Sequence, residues 1–172
     1  MALVRGTTIV DDPSRLLAAD EAVPADEPVI IGKARYLAER DALAGRNAPL
    51  GLLIEAGEGL TGLTAADIGR FALIALSFPK YTDGRAYSVA RILRENHGFA
   101  GELRAVGNVL RDQIEFMRRC GFDTFDIAHE GTLKAIVNGS IKTVDIHYQP
   151  AGLEGRERVP AGTRPWLRAT PG

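Results

Sequence analysis

Cationic and polar side chains gather in a short stretch where a buried apolar run gives way to a helical pattern. This stretch, residues 79–88, contains Lys80, Asp83, Arg85 and Ser88. The free N–H groups and the macrodipole of a helix start favour a bound anion. The same spacing also fits a plain helix start, in which Asp83 caps the helix and the cations are solvated. The residues alone leave both interpretations open.

A second polar group lies in and after the next apolar segment. Arg104 interrupts a strand pattern that should be buried, and a buried arginine needs an acidic partner or an anionic ligand. If Arg104 instead lies on an edge strand, it pairs with Glu102 or Asp126. Polar side chains also follow near the next helix start, namely Arg111, Asp112 and Gln113.

Both groups are expected on one rim of a sheet, because loops that leave parallel strands at their carboxyl ends share an edge. Lys80, Arg85 and Arg104 would then form a clamp for a small anion, since guanidinium groups match oxyanion geometry. The predicted anion-binding set is Lys80, Asp83, Arg85, Ser88, Arg104, Arg111, Asp112 and Gln113. His129 is a candidate acid or base on the same rim, or a plain surface side chain.

A glycine-rich turn, Gly57 to Gly62, has the G-x-G-x-x-G spacing of a dinucleotide-binding loop. Two features count against that function. The pattern Thr64 to Asp67 starts the helix only after Gly62, and a lysine, Lys80, follows the second strand where an acidic residue should contact the ribose. We interpret the turn as a flexible connector and assign no cofactor-binding residue, so the cofactor is unknown.

Metal ligation is not expected from the histidines or the cysteine. His97, His129 and His147 lack metal-ligand spacing. The single cysteine, Cys120, excludes a four-cysteine zinc or iron–sulfur site within the chain. Its position at a helix C-terminus favours a packing role over a nucleophilic one.

Short apolar runs separated by helical patterns predict the elements that position these residues. The strands are expected at 50–54, 71–76, 103–106, 122–127 and 144–148, and the helices at 33–44, from 86, from 109 with Asn108 as N-cap, and around 133–137. This order predicts an α/β domain of βα repeats with a mainly parallel sheet, either an open three-layer sheet or a partial barrel.

The composition divides the chain into three parts. Acidic residues and prolines without apolar periodicity predict a loosely ordered arm at 1–28, followed by a single α/β domain at 29–149 and a flexible tail at 150–172. The formal net charge of -1 argues against nucleic-acid binding. Without a signal peptide or an apolar run of about 20 residues, we expect a cytoplasmic protein that does not span a membrane.

Between about residues 30 and 150 the chain resembles a family of short bacterial proteins of unknown function. Its members are commonly labelled oxidoreductases involved in sulfite reduction, and are often encoded beside the sulfite reductase haemoprotein. The resemblance rests on FPKYTDGRAYS (78–88), ARILR (90–94), GELRAVGNVLRDQ (101–113) and CGFDTF (120–125). Asn108 stands where the family usually has aspartate, which favours a capping role there, because both residues cap helices about equally well.

The resemblance implies a place in assimilatory sulfite reduction but supplies no catalytic residues. One hypothesis is an accessory or anion-binding protein that partners the sulfite reductase haemoprotein. The alternative is an oxidoreductase or electron-transfer component that acts on a small sulfur oxyanion with a bound nicotinamide or flavin. Whether the protein is an enzyme therefore stays open, and the absence of a recognisable catalytic set favours the accessory role.

Overall fold

The computed structural model describes residues 2–139. The strands in this range form a single sheet. Its strands are β1 Ala2–Arg5, β2 Thr8–Val10, β3 Arg15–Leu16, β4 Val29–Gly32, β5 Leu50–Ile54, β6 Leu73–Phe78, β7 Glu102–Gly107 and β8 Thr124–Ile127. They lie in the order β2-β1-β8-β7-β6-β5-β4-β3. From β3 to β8 every neighbouring pair is parallel, which confirms the predicted βα repeats.

Helices connect these strands. They are α1 Lys33–Glu39, α2 Ala65–Arg70, α3 Arg85–Glu95, α4 Ile114–Cys120 and α5 Glu130–Val137, and a 3₁₀ turn, Arg111–Gln113, precedes α4. Crossovers between parallel strands are right-handed. Since each step from β3 to β8 runs in the same direction along the sheet, the helices gather on one face. The sheet curls into a half-barrel, which is the partial-barrel form of the prediction.

The apolar core lies between the sheet and this helical layer. Alternate residues of the central strands face it, and Leu76, Leu103 and Ala105 are buried there. Helix α3 contributes Ala90 and Leu93, which are also buried. Each fully buried leucine stabilises the fold by roughly 1.5–3 kcal/mol. This packing fixes β6, β7 and α3 relative to one another.

The first 28 residues contribute three strands to the sheet, although their composition predicts a loosely ordered arm. β1 pairs antiparallel with β8, and β2 pairs antiparallel with β1. Leu3, Val4 and Leu17 are buried. The apolar runs of this segment, residues 2–4 and 9–10, are too short to predict a strand by themselves, and the pairing of β1 with β8 holds the segment in the sheet. The predicted strand at 144–148 and the tail at 150–172 lie outside the described residues.

The helix predicted from 109 begins later, and Asn108 is not its N-cap. Gly107 adopts φ +96°, and the next backbone N–H, that of Asn108, donates to the carbonyl of Phe78 at 2.7 Å. The chain therefore runs on against the loop after β6, and helical structure starts only at the Arg111–Gln113 turn. The predicted stop of α4 at Gly121 is confirmed by its left-handed backbone.

Candidate functional site

The loops that follow β6 and β7 meet at the carboxyl edge of the sheet, as their positions in the sequence predict. The Gln113 side chain joins them, because its Nε2 donates to the carbonyl of Tyr81 at 2.8 Å. Its Oε1 accepts from the backbone N–H of Leu110 at 3.3 Å, which caps the 3₁₀ turn. Gln113 thus holds the two loops together and is not directed at an open site.

Asp83 and Arg85 form a bidentate ion pair at the start of α3. Nε and Nη2 of Arg85 donate to Oδ1 and Oδ2 of Asp83 at 2.9 and 2.5 Å. Oδ1 also accepts from the backbone N–H of Arg85 at 3.2 Å. These hydrogen bonds lower the pKa of Asp83 to about 2, so the carboxylate stays ionised near neutral pH and orients the guanidinium.

The third guanidinium nitrogen of Arg85, Nη1, lies over the glycine-rich turn that follows β5. A Cβ atom at Gly57 would approach that nitrogen to 2.4 Å, so a larger residue there would displace the end of the Arg85 side chain. Between the turn and α3 lies a cavity of about 140 Å³, lined by Glu55, Gly57, Ser77, Arg85 and Ala86 among others. The carboxyl edge therefore offers a small, partly cationic cavity.

A buried lysine anchors the other side of the glycine-rich turn. Lys33, at the start of α1, is 7% exposed. Its Nζ donates to the carbonyls of Glu58 and Gly59 at 2.9 and 3.0 Å. Arg40 adds a hydrogen bond to the carbonyl of Gly62 at 2.6 Å. The turn interpreted from sequence as a flexible connector is therefore fixed by two cations from α1 and its C-terminal end.

Replacing Gly59 by alanine is expected to cost about 1 kcal/mol of folding free energy. The reason is the left-handed backbone at Gly59, φ +56°, which disfavours any Cβ. No heavy atom of the described residues lies within 4 Å of that added Cβ, so no steric clash with them adds to the cost. Urea denaturation checks this value. An unchanged midpoint, as for a loose connector, would contradict it.

Arg104 lies on a central strand, with β6 on one side and β8 on the other. Its side chain is 5% exposed and pairs with two carboxylates. Nη1 and Nη2 bind Asp12 at 2.6 and 3.1 Å, and Nε binds Glu102 at 3.0 Å. The edge-strand alternative is wrong, although Glu102 is indeed a partner. Arg104 reaches the inner face near the start of β6, away from the cavity beside Arg85.

The structure therefore brings together only part of the predicted set. Asp83, Arg85 and Gln113 lie in the two joined loops, whereas Arg104 belongs to a separate cluster. The remaining members are exposed to solvent, as is much of the Arg85 side chain. They are Lys80, Ser88, Arg111 and Asp112. A clamp made of Lys80, Arg85 and Arg104 is not formed, because Arg104 is engaged elsewhere.

His129 caps a helix, and Cys120 packs in the core. Nδ1 of His129 accepts from the backbone N–H of Thr132 at 3.2 Å, which caps α5. Cys120 is buried, and burial raises the pKa of its thiol.

Within residues 2–139, no group of three His, Cys, Asp or Glu side chains is placed to hold a metal ion. Over the same range, no helix has the length and apolar character to cross a membrane.

Sequence reasoning missed Lys33, Ser77 and Asp12. Lys33 directly follows an apolar run, Val29 to Gly32, which forms β4 and was not predicted as a strand. Read as a strand, that run would have placed Lys33 at the carboxyl edge. Asp12 and Arg104, which form an ion pair, lie 92 residues apart in the sequence, and a local sequence pattern cannot predict such a contact.

Comparison with curated proteins finds no match, and comparison with solved structures finds none. A protein-family comparison matches residues 51–158 to the family described as "Bacterial protein of unknown function (DUF934)". The matched region contains the glycine-rich turn, Arg85 and Arg104, whereas Asp12 and Lys33 precede it. Since the match covers more than half of the chain, the protein belongs to this family of bacterial proteins of unknown function.

Proposed function

We propose that the protein is an accessory component of assimilatory sulfite reduction that binds a small sulfur oxyanion in the cavity beside Arg85. The guanidinium of Arg85 carries the proposal. Asp83 fixes two of its nitrogens, and the third lies next to Gly57 at the cavity. Arginine N–H groups form strong, charge-assisted hydrogen bonds with oxyanions. A guanidinium that is already oriented loses less freedom when the anion binds.

Other groups around the cavity suit the same ligand. Ser77 supplies a hydroxyl group, and Ala86 lies in the first turn of α3, where the helix macrodipole is positive. Glu55 also lines the cavity. Because a carboxylate accepts hydrogen bonds, Glu55 favours an oxyanion that carries a proton, such as hydrogensulfite, over a fully ionised one.

The size of the cavity beside Arg85 favours a small ligand at that position. Its volume of about 140 Å³ suits a small anion. Sites for larger organic ligands typically enclose roughly 300–1,000 Å³. The difference supports an oxyanion over a nicotinamide or flavin as the ligand of this cavity.

The pathway and the partner in this proposal come from the resemblance over residues 78–125. That resemblance points to assimilatory sulfite reduction and to the sulfite reductase haemoprotein as the partner. An accessory protein that holds sulfite would deliver or retain the substrate of that enzyme. Co-purification of the two proteins, in the presence and absence of sulfite, tests the partnership.

Replacing Arg85 by methionine is expected to weaken sulfite binding by about tenfold or more, because a hydrogen bond to a charged group contributes about 1.5–3 kcal/mol. Isothermal titration calorimetry with sodium sulfite measures the change. Arg91→Met is the matched control, since it removes the same charge from an exposed ion pair with Glu95 on the same helix. The control should bind sulfite like the unmodified protein.

Equal sulfite affinity in the Arg85 and Arg91 variants would contradict the proposed site. A nicotinamide nucleotide tests the alternative function. At 100 times its dissociation constant, a true ligand stabilises the native state by about 2.7 kcal/mol, which shifts the melting temperature by several degrees. We expect no such shift, and a clear one would favour the oxidoreductase.

A further inference from the structure

The inner face of the half-barrel carries a buried guanidinium whose partner comes from a surface loop. Asp12 lies in the segment between β2 and β3 and binds Arg104 through both carboxylate oxygens. The side chain of Arg104 is 5% exposed, whereas that of Asp12 is 36% exposed. Asp12 therefore reaches a buried cation from the solvent side, as a bound carboxylate ligand would.

A cavity of about 530 Å³ lies beside this ion pair. Its lining combines two cations and two carboxylates with an apolar wall that includes Leu3, Leu73 and Val10. The charged residues are Arg5, Arg104, Asp11 and Glu102. The volume falls within the roughly 300–1,000 Å³ range of small-molecule sites. A site with one buried cation and an apolar wall matches a ligand that has one carboxylate and an apolar body.

Asp12 supplies the carboxylate that accepts from both terminal nitrogens of the Arg104 guanidinium. Arg5 binds Glu102 at 2.6 Å, and Glu102 also binds Arg104. Two further carboxyl groups lie near this cluster, Asp126 on the same face and Asp11 in the cavity lining, and burial raises the pKa of Asp126. Withdrawal of Asp12 would remove the acceptor from Nη1 and Nη2 of Arg104, and another carboxylate would restore these hydrogen bonds.

We propose that the inner face is a second binding site, for a small carboxylic acid with an apolar body, whose carboxylate replaces Asp12 on Arg104. Asp12 then acts as a tethered competitor that keeps the site closed. A tethered group competes at an effective concentration in the millimolar range. A ligand displaces it by adding contacts with the apolar wall, which Asp12 lacks. This site is independent of the oxyanion cavity beside Arg85.

Benzoate tests the proposal, with benzamide as a neutral probe of the same shape. Removing the tethered competitor with Asp12→Ala is expected to tighten benzoate binding at least tenfold, measured by calorimetry on the full chain. Asp20→Ala is the matched control, because Asp20 is an exposed carboxylate that neither lines the cavity nor binds Arg104. It should bind benzoate like the unmodified protein, and benzamide should bind all variants weakly.

If Asp12→Ala is too unstable for calorimetry, the melting temperature of this variant reports benzoate binding instead. Benzoate should then raise the melting temperature of Asp12→Ala, and benzamide should not. The double variant Asp12→Ala/Arg104→Met, which removes both charges of the pair, should lose benzoate binding. The proposal is overturned if Asp12→Ala gains no affinity, if benzamide matches benzoate, or if the double variant still binds. Arg85→Met should retain benzoate binding, which separates this site from the oxyanion cavity.

Discussion

Replacing Arg104 by alanine is expected to destabilise the fold by about 3 kcal/mol, because Asp12 and Glu102 would both lose a buried cationic partner. Breaking a buried ion pair costs roughly 3–5 kcal/mol. We expect the lower end, since water reaches Asp12, whose side chain is 36% exposed. Guanidinium chloride denaturation measures the loss as a lower midpoint at constant slope.

An exposed arginine provides the control for this prediction. Arg91→Ala removes an ion pair with Glu95 on the surface of α3, which should contribute only about 0–1 kcal/mol. A denaturation midpoint of Arg104→Ala equal to that of Arg91→Ala would show that the inner-face pair adds no stability. The double variant with Asp12→Ala should recover part of the loss, because it removes one of the stranded carboxylates.

Replacing Gly107 by alanine is expected to cost about 3 kcal/mol. Two effects add at this position. The backbone has φ +96°, a conformation that L residues rarely adopt and that costs roughly 1–2 kcal/mol. In addition, the new Cβ would lie 2.6 Å from the carbonyl oxygen of Phe78, a backbone atom that cannot rotate away. Overpacking of this kind costs about 1–3 kcal/mol. Thermal and urea denaturation both report the loss.

The variant Gly98→Ala separates the cost of the left-handed backbone from the cost of the close approach to a neighbouring atom. Gly98 also has a left-handed backbone, φ +60°, but within residues 2–139 no heavy atom lies within 4 Å of an added Cβ. The control variant should therefore lose only about 1 kcal/mol. Similar losses at Gly98 and Gly107 would mean that the close approach to Phe78 is relieved at little cost.

The apolar runs predicted the central strands because burial on both faces leaves a local signature. The strand at 50–54 is confirmed, whereas the one expected at 71–76 lies at Leu73–Phe78. The difference arises at Phe71, which caps the C-terminus of α2 and packs its ring on Tyr36 at 4.8 Å. An apolar run cannot distinguish a buried helix cap from the first residue of a strand.

The candidate site was predictable only where its contacts are local. The Asp83–Arg85 pair lies within three residues, and the helix-start pattern placed both residues correctly at the start of α3, although it did not predict that they pair. The environment of Arg104 depends on Asp12, which lies between β2, paired with β1, and β3, paired with β4. The anchoring of the glycine-rich turn depends on Lys33 and on backbone carbonyls, which carry no side-chain signal.

The strand order determines when each strand can pair with its neighbour as the chain leaves the ribosome. From β3 to β8 each strand pairs with its immediate predecessor, so that part of the sheet can grow as synthesis proceeds. β1 is different, because Ala2 pairs with Ile127 and Arg5 with Thr124. β1 precedes β8 in the chain and must therefore wait for it, and the hairpin that β1 forms with β2 remains an unpaired edge until then. Chaperone contact during synthesis is expected to concentrate on β1 and β2.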